Sequence, residues 1–561
     1  MFAPTALAIL AFFGGVGFSK VYEDIANLPS LKYDFVIVGG GTAGNVIASR
    51  LTENPHVSVL VLEAGPTNQG VLDAQVPFLS NGVSDTGSPY SWNYTTIPQA
   101  GADNHSFAAL RGYILGGCSS HNGFAYTRGA AADFDRTKGG QLQRIITIHK
   151  GQFNPAIHGT KGPISVSLLG YPWPEFAQHV IQTTKELPDD FPFNLDMNSG
   201  KPLGIGWLQF TIGHGERSSS ATGYLTPGVI QRPNLDVLLH AQASKLVNPT
   251  QSKVSPNEPV TFQGVQFRYG TSLFVAKASK EIILSAGTIG TPQILLNSGI
   301  GDRTALQALG IPTVLNLPSV GKNMSEHPYS GNATRYNEAF AEWNRSHTGP
   351  FVDAGGPGTH AGWLRLKADS PLFKIHPDPS PGPSAPHFEM LFQPYNPTGT
   401  RPGHFISLVA AMVSPVSRGS VTLSSSDPFA APVIDLGLLS NEFDALALAE
   451  GLKLALKFTS APNWKGYLGA PTVDLAAMSP AELTAYVRAN SGPGYHIVGT
   501  AGMSPRGARY GVVDPDLKVK GIAGLRVIDA SVVPIVPGAH TQAVTYVVAE
   551  RGADLVKQAW N

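Results

Sequence analysis

The sequence predicts an α/β protein whose chain opens on a doubly wound unit, and three observations carry that prediction. Tyr33-Asp34-Phe35-Val36-Ile37-Val38 is a short β-rich apolar run. Gly39-Gly40-Gly41-Thr42-Ala43-Gly44 follows at once, and Asn45 to Thr52 then reads as a helix. A second strand, Val57 to Leu62, ends on Glu63, nineteen residues past Gly44. Composition agrees with a large folded chain. At 561 residues it is too long for one compact domain and comfortable for two or three. Hydrophobic residues are 42% and charged residues 14%, which excludes disorder for the bulk of the chain. Lys+Arg and Asp+Glu both number 39, so no net field gathers nucleic acid or an anionic membrane. Gly 62 and Pro 45 imply many turns and close backbone approaches rather than long helices. The single cysteine, Cys118, forbids an internal disulfide or a multi-cysteine metal site and reads as a small buried residue.

Taken in order, Met1 to Lys20 holds an apolar run from Ala6 to Val16 that is too short to span a bilayer. It ends in small residues, with Gly17 and Ser19 placed for cleavage, so residues 1–19 are expected to be a signal peptide. No later segment approaches the length of a membrane span. Acceptor sequons begin at Asn93, Asn104, Asn323, Asn332 and Asn344 and, with the leader, favour a secreted glycoprotein.

In the first unit, Gly39 makes the tight turn, Gly41 admits a pyrophosphate to the backbone, and Gly44 lets helix and strand pack closely. The helix N-terminus, entered through Thr42 and Ala43, offers amides and a positive dipole end to the phosphates. Glu63 is placed to accept hydrogen bonds from an adenosine ribose. This is a dinucleotide site, and only one such fingerprint occurs. Far along the chain, Leu525-Arg526-Val527-Ile528 is a strand running into Asp529, an acid placed to hold the ribityl or pyrophosphate part of FAD. Both chain regions then build one flavin site, and FAD is favoured over NAD.

Four ordered motifs together resemble the glucose-methanol-choline (GMC) flavoprotein oxidoreductases, nearest to fungal pyranose dehydrogenases and aryl-alcohol oxidases. They are Arg111 to Gly123, Gly287 to Gly301, Val320 to His327, and the run from His496 through His540. The third departs from the family's V-G-x-N-L-x-D-H at Met324 and Glu326. The resemblance implies an FAD domain interleaved with a substrate domain on a large antiparallel sheet, with segments at about 33–313, 314–409 and 410–556. Ile164 to Leu168 and Ser420 to Leu423 would suit that antiparallel sheet, while Asn234 to Leu239 would lead to an adenine contact near Ala243.

The resemblance also assigns roles. His496 is the expected base for a substrate hydroxyl, and His540 would hydrogen-bond the substrate oxygen and share its charge; imidazole suits both because its ordinary pKa lies near neutrality. Tyr495 would be a flavin-facing aromatic wall, with Tyr94 and Gln393 as further substrate contacts. Gly117, Ser120, His121, Asn122 and Thr541 join the cofactor contacts. The loop Gly116 to Asn122 resembles the pyranose dehydrogenase form in which the histidine attaches covalently to FAD, which points to His121. These features imply a secreted, monomeric pyranose dehydrogenase that oxidises sugar hydroxyls and passes electrons to quinone-type acceptors. The alternatives left open are an aryl-alcohol oxidase using oxygen and a non-redox or inactive flavin-binding member. After Asp133-Phe134-Asp135-Arg136 the family runs through a Gly-Trp-x-Trp segment and a long helix, and this chain carries Thr137 to Lys150 instead. A second contraction lies between His327 and Trp343. Either the enzyme has a pared-down rim or an exon has been lost.

Overall fold

The computed structural model describes residues 20–135, 153–169, 174–247, 260–336, 358–393 and 404–560. The predicted signal peptide, the replaced stretch after Arg136, most of the second contraction and the sequon at Asn344 lie outside the described residues.

The apolar runs of the first unit make an eight-stranded sheet. Its spatial order is Val21–Tyr22, Leu235–Leu238, Val59–Leu62, Lys32–Val38, Ser272–Leu284, Gly264–Tyr269 and Gln242–Val247, with Leu525–Val527 also beside Ser272–Leu284. The central pairs are parallel, Phe35 to Val38 against Val59 to Leu62 and Glu281 to Leu284 against Phe35 to Val38. A parallel sheet is covered on both faces, so its strands are apolar throughout rather than alternating. Val36, Ile37, Val59, Leu60, Val61, Ile282 and Leu284 are accordingly fully buried, each contributing roughly 1.5–3 kcal/mol. Strand Ser272–Leu284 has three partners along its length. Its first half pairs antiparallel with Gly264–Tyr269, and its second half, Ile282 to Leu284, enters the parallel sheet.

The second sheet is antiparallel, ordered Leu468–Pro471, Pro328–Tyr336, His404–Met412, Phe388–Gln393, His360–Leu364 and Gly204–Trp207, with Ser491–Pro493 beside Pro328–Tyr336. Its strands alternate with a period of two. Phe388, Met390, Phe392, Ile406, Leu408, Ala410 and Met412 point into one core, together with Phe443, Leu448, Leu452 and Phe458 of helix Glu442–Thr459. Glu389, Leu391, Gln393, Ser407, Val409 and Ala411, the residues between, line a cavity on the opposite face. The helix begins on Asn441, whose side chain accepts from the Phe443 amide, with Glu442 and Asp444 favourable in its first turn. Gly451 lets it lie flat on the sheet, since a Cβ there would stand 3.1 Å from Phe388 and 3.2 Å from Ala410.

Helix Thr541–Trp560 closes the first unit. Its Tyr546 and Ala549 share a core with Ala43 and Val46, and Glu550 clamps Arg50 of helix Gly44–Leu51 through two 2.8 Å bonds. Two expected strands fall elsewhere. Ile164 to Leu168 forms no strand: only Ser167 bridges Phe210, and the buried Ile164 packs against Tyr126 and Tyr224 instead. Ser420–Thr422 is a strand, but it pairs Val433–Asp435 in a separate two-stranded ribbon. Both carry β-compatible side chains, which say nothing about the partner strand.

Candidate active site

Strand Lys32–Val38 leads through helix Gly44–Leu51 to its neighbour Val59–Leu62 on one side, whereas Ser272–Leu284, on its other side, connects to helix Gly287–Asn297. The carboxyl ends of these two strands therefore flank a point where the connections diverge, which is where open α/β sheets hold ligands. A continuous cavity of about 1020 Å³ opens there and runs to the antiparallel sheet. Gly39, Gly41, Thr42 and Ala43 line it from the end of Lys32–Val38, Glu63 from the end of Val59–Leu62, and Ser285 to Gly287, Ala243 and Asp529 from the others. Gly44 stands behind the wall, because a Cβ there would fall 1.9 Å from the Gly39 carbonyl; the glycine is required by helix–strand packing. A Cβ on Gly41 would meet nothing nearer than Gly117 Cα at 3.8 Å, so it would project into the space a phosphate needs.

The buried Glu63 carboxylate accepts the Gly40 amide at 2.7 Å and the Gly65 amide at 2.8 Å, which fixes it across the turn. Burial pushes its pKa up to about 7 against those two bonds. Asp529 is spent largely on the chain itself. Its Oδ2 accepts from the Gly287 amide (2.9 Å) and Thr291 Oγ1 (2.6 Å), and its Oδ1 accepts from the Ser531 amide (2.8 Å). It thus ties the ends of two strands together beneath the cavity.

The loop opposite the glycine turn is built on left-handed Gly116 and Gly117, at φ 93° and 52°. Gly117 comes so near Gly41 that a Cβ would stand 2.9 Å from its Cα. Ser120 points away from the cavity to the Leu115 carbonyl (2.9 Å), so its part is to hold the turn. His121 and Asn122 line the cavity. The His121 ring is buried with Nε2 lacking a partner among the described residues, and burial, with Arg217 and Arg111 nearby, pushes its pKa down to about 3. Asn122 donates to Gln542 at 2.6 Å, and Arg217 grips the Asn122 carbonyl (2.7 Å) and side chain (3.0 Å) while lying 3.7 Å over the Phe124 ring.

The other end of the cavity carries both expected catalytic histidines, whose ring centroids are 4.6 Å apart. His540 immediately precedes helix Thr541–Trp560; its amide donates to Thr127 at 2.8 Å, and its Nε2 lies 2.7 Å from Glu389 Oε1. Thr541 lines the same wall. His496 follows Tyr495, which adopts φ 64° and borders the cavity. Beneath that strained turn, the buried Glu326 Oε1 accepts the amides of His327 (2.8 Å) and His496 (2.7 Å). Burial pushes Glu326 up to about 7, opposed by the guanidinium of Arg111, which donates to the Tyr495 carbonyl at 2.9 Å. His327 is fully buried, and its Nδ1 is 3.0 Å from His496 Nδ1. Burial pushes His327 down to about 3 and His496 well below its ordinary value, with the charge of His540 acting in the same direction. Tyr94, stacked on Trp92 at 5.5 Å, and Gln393, whose Oε1 has no partner among the described residues, also line the cavity.

The residues the motifs did not assign are Glu389, Arg217, Arg111, Glu326 and His327. A lone acid among the apolar residues of Phe388–Gln393 was the available signal for Glu389. The Glu-His pair entering strand Pro328–Tyr336 was the signal for Glu326 and His327, and Arg217 and Arg111 carried none.

Models of the GMC oxidoreductase family match residues 33–329 and 415–549. This chain belongs to the GMC oxidoreductases. Among similar proteins, dehydrogenase eriK of Hericium erinaceus is 38% identical over 96% of each chain. A pyranose dehydrogenase of Agaricus campestris is 38% identical over 99% of this chain and 98% of its own. Among solved structures, a formate oxidase superposes with a TM-score of 0.80 at 28% identity, over 94% of this chain and 98% of that one. A fungal aryl-alcohol oxidase superposes at 0.76 and 28%, over 94% and 99%. As a GMC oxidoreductase the protein is an FAD-dependent enzyme. The residues fit FAD: the glycine turn leaves open space at Gly41, Glu63 stands at the second strand end, and His121 presents an unpartnered nitrogen to the same cavity.

Proposed function

We propose that this GMC oxidoreductase is a secreted pyranose dehydrogenase that oxidises a ring hydroxyl of a sugar to a ketone and delivers the electrons to quinone-type acceptors. The carrying observation is His121, a buried, unpartnered imidazole nitrogen on the cavity wall facing the glycine turn. Such a nitrogen is a ready nucleophile for covalent attachment to FAD, which would bar cofactor loss outside the cell. When bound, FAD supplies the hydride acceptor. Thr42 and Ala43 would hold its pyrophosphate by their amides, Glu63 its adenosine ribose, and Ala243 would border its adenine, with Gly117, Asn122, Asp529 and Thr541 lining the same wall.

His496 takes the proton of the substrate hydroxyl. His540 steadies the oxygen: its Nε2 lies 2.7 Å from Glu389 Oε1, which fixes the ring beside the reacting hydroxyl. Gln393, Ser407 and Asn490 give the cavity polar groups suited to the several hydroxyls of a sugar, and Tyr94 and Tyr495 give it aromatic faces. The exposed sequon residues Asn93, Asn104 and Asn323 agree with secretion, and the enzyme acts as a monomer in this reading. Among the described residues no helix is long and apolar enough to cross a membrane.

Acid precipitation of the purified protein tests the assignment. A yellow pellet, lost in His121→Ala, supports it. Yellow colour in the supernatant, with reduction by benzylic alcohols and not by sugars, would replace it with an aryl-alcohol oxidase. A flavin-loaded protein bleached by neither class of alcohol would place it among non-redox members.

A further inference from the structure

His327 is fully buried at the cavity wall behind His496, and its ring is hydrogen-bonded to the His496 ring. Two imidazole nitrogens 3.0 Å apart must divide their roles, one donating and one accepting. Two arrangements are available. If His327 donated from Nδ1, its Nε2 would be a bare lone pair sealed in the interior, and the groups turned toward this ring are the backbone carbonyls of Pro537 and Val413, which cannot donate. His496 would then carry its own proton on Nε2 and could accept none. If His496 donates instead, His327 keeps its proton on Nε2, where the nearest groups are carbonyl oxygens; they make no close hydrogen bond to it, but they suit an N–H better than a lone pair.

We propose that His327 is a positioning residue that holds His496 as the Nδ1–H tautomer, so that its bare Nε2 is the atom that receives the substrate proton. This rests on the base role assigned to His496 above. The surroundings agree: burial favours the neutral forms of His327 and His496, His540 and Arg111 act in the same direction on His496, and Glu326 Oε1 is taken by two backbone amides rather than by either ring. When His496 takes its second proton, His327 Nδ1 remains the acceptor for the first, so no rearrangement accompanies the step.

The direct test needs no variant. In FAD-loaded protein labelled with 15N-histidine, two-bond proton–nitrogen correlation spectra distinguish the tautomers. His496 protonated on Nδ1 and bare on Nε2 is the expected result, and the opposite tautomer overturns the proposal. That readout stands whether or not any sugar is a substrate, so it fails separately from the functional reading. Kinetically, His327→Leu removes the acceptor and should slow flavin reduction roughly 10²- to 10³-fold, on the scale of losing general-base catalysis, with substrate affinity little changed. His327→Asn places an amide oxygen near the former Nδ1 and should restore the rate to within about tenfold. Equal losses in folded, flavin-loaded Leu and Asn variants would also overturn it.

Discussion

At His540 the decisive neighbour is a carboxylate. Glu389 lies 151 positions away in sequence and 2.7 Å away in space, and it sits on the cavity face of its strand because the residues on either side belong to the core. Glu389→Gln keeps a hydrogen-bonding group there and removes the charge, so substrate-driven flavin reduction is expected to fall roughly tenfold to a hundredfold in stopped flow while bound flavin is retained. His496 carries a second prediction. Burial, His540, His327 and Arg111 all push its pKa down, so its neutral, proton-accepting form persists as pH falls through 6.5. Flavin reduction is therefore expected to show no acid limb near that pH, and a limb centred there would refute the assignment. The positions of the glycine turn, Glu63 and the two proposed catalytic histidines were legible in the sequence because each sits within a short local pattern, for the histidines one that resembles the family's. Glu389 and Arg217 were not, because they reach the site from remote strands and their meaning exists only once the sheets are assembled.

Among the elements, the two that position the site do so through glycines. Helix Gly44–Leu51 can approach strand Lys32–Val38 only while residue 44 has no side chain, since a methyl would lie 1.9 Å from the Gly39 carbonyl. Gly44→Ala is expected to yield protein without flavin absorbance, because the turn must open to admit the methyl. Helix Glu442–Thr459 makes the milder case. Gly451→Val would press a branched side chain on Phe388 and Ala410 and is expected to lower the urea midpoint by an amount equivalent to about 1–3 kcal/mol, with flavin still bound if the cavity face is undisturbed. The parallel strands were readable because burial on both faces leaves unbroken apolar runs. Ile164 to Leu168 and Ser420 to Leu423 were misplaced for the converse reason: side chains that fit a pleated surface do not specify which strand lies alongside. The alternation in Phe388–Gln393 marks a sheet with two different faces, but only the fold shows that the second face is a catalytic wall rather than solvent.

Across the whole molecule, the buried histidines couple stability to acid. His121, His327 and His360 are pushed to about 3 and His496 well below its ordinary value, so the unfolded chain binds four protons near pH 6.5 that the folded chain refuses. Glu63 and Glu326, raised to about 7, are protonated first in the folded state and oppose this between roughly pH 7 and 4.5. Below 4.5 that opposition ends, because the carboxyls are protonated in both states. The histidine contribution then runs on down to about pH 3, joined by carboxylates held low by their partners, such as Asp378 and Asp196, and stability falls as pH falls. Unfolding followed by tryptophan fluorescence in flavin-free protein is expected to steepen in that window, and His360→Leu, outside the cavity, to flatten it. The interleaving of the two sheets has a different consequence, for an incomplete chain. Strand Leu525–Val527, His540 and the 20 residues of helix Thr541–Trp560 come late in the chain, yet they supply a strand of the first sheet, one of the proposed catalytic histidines and the cover over helix Gly44–Leu51. A chain lacking them has its glycine turn but no closed wall around it, so a chain stopped before Leu525 is left with no partial enzyme to contribute.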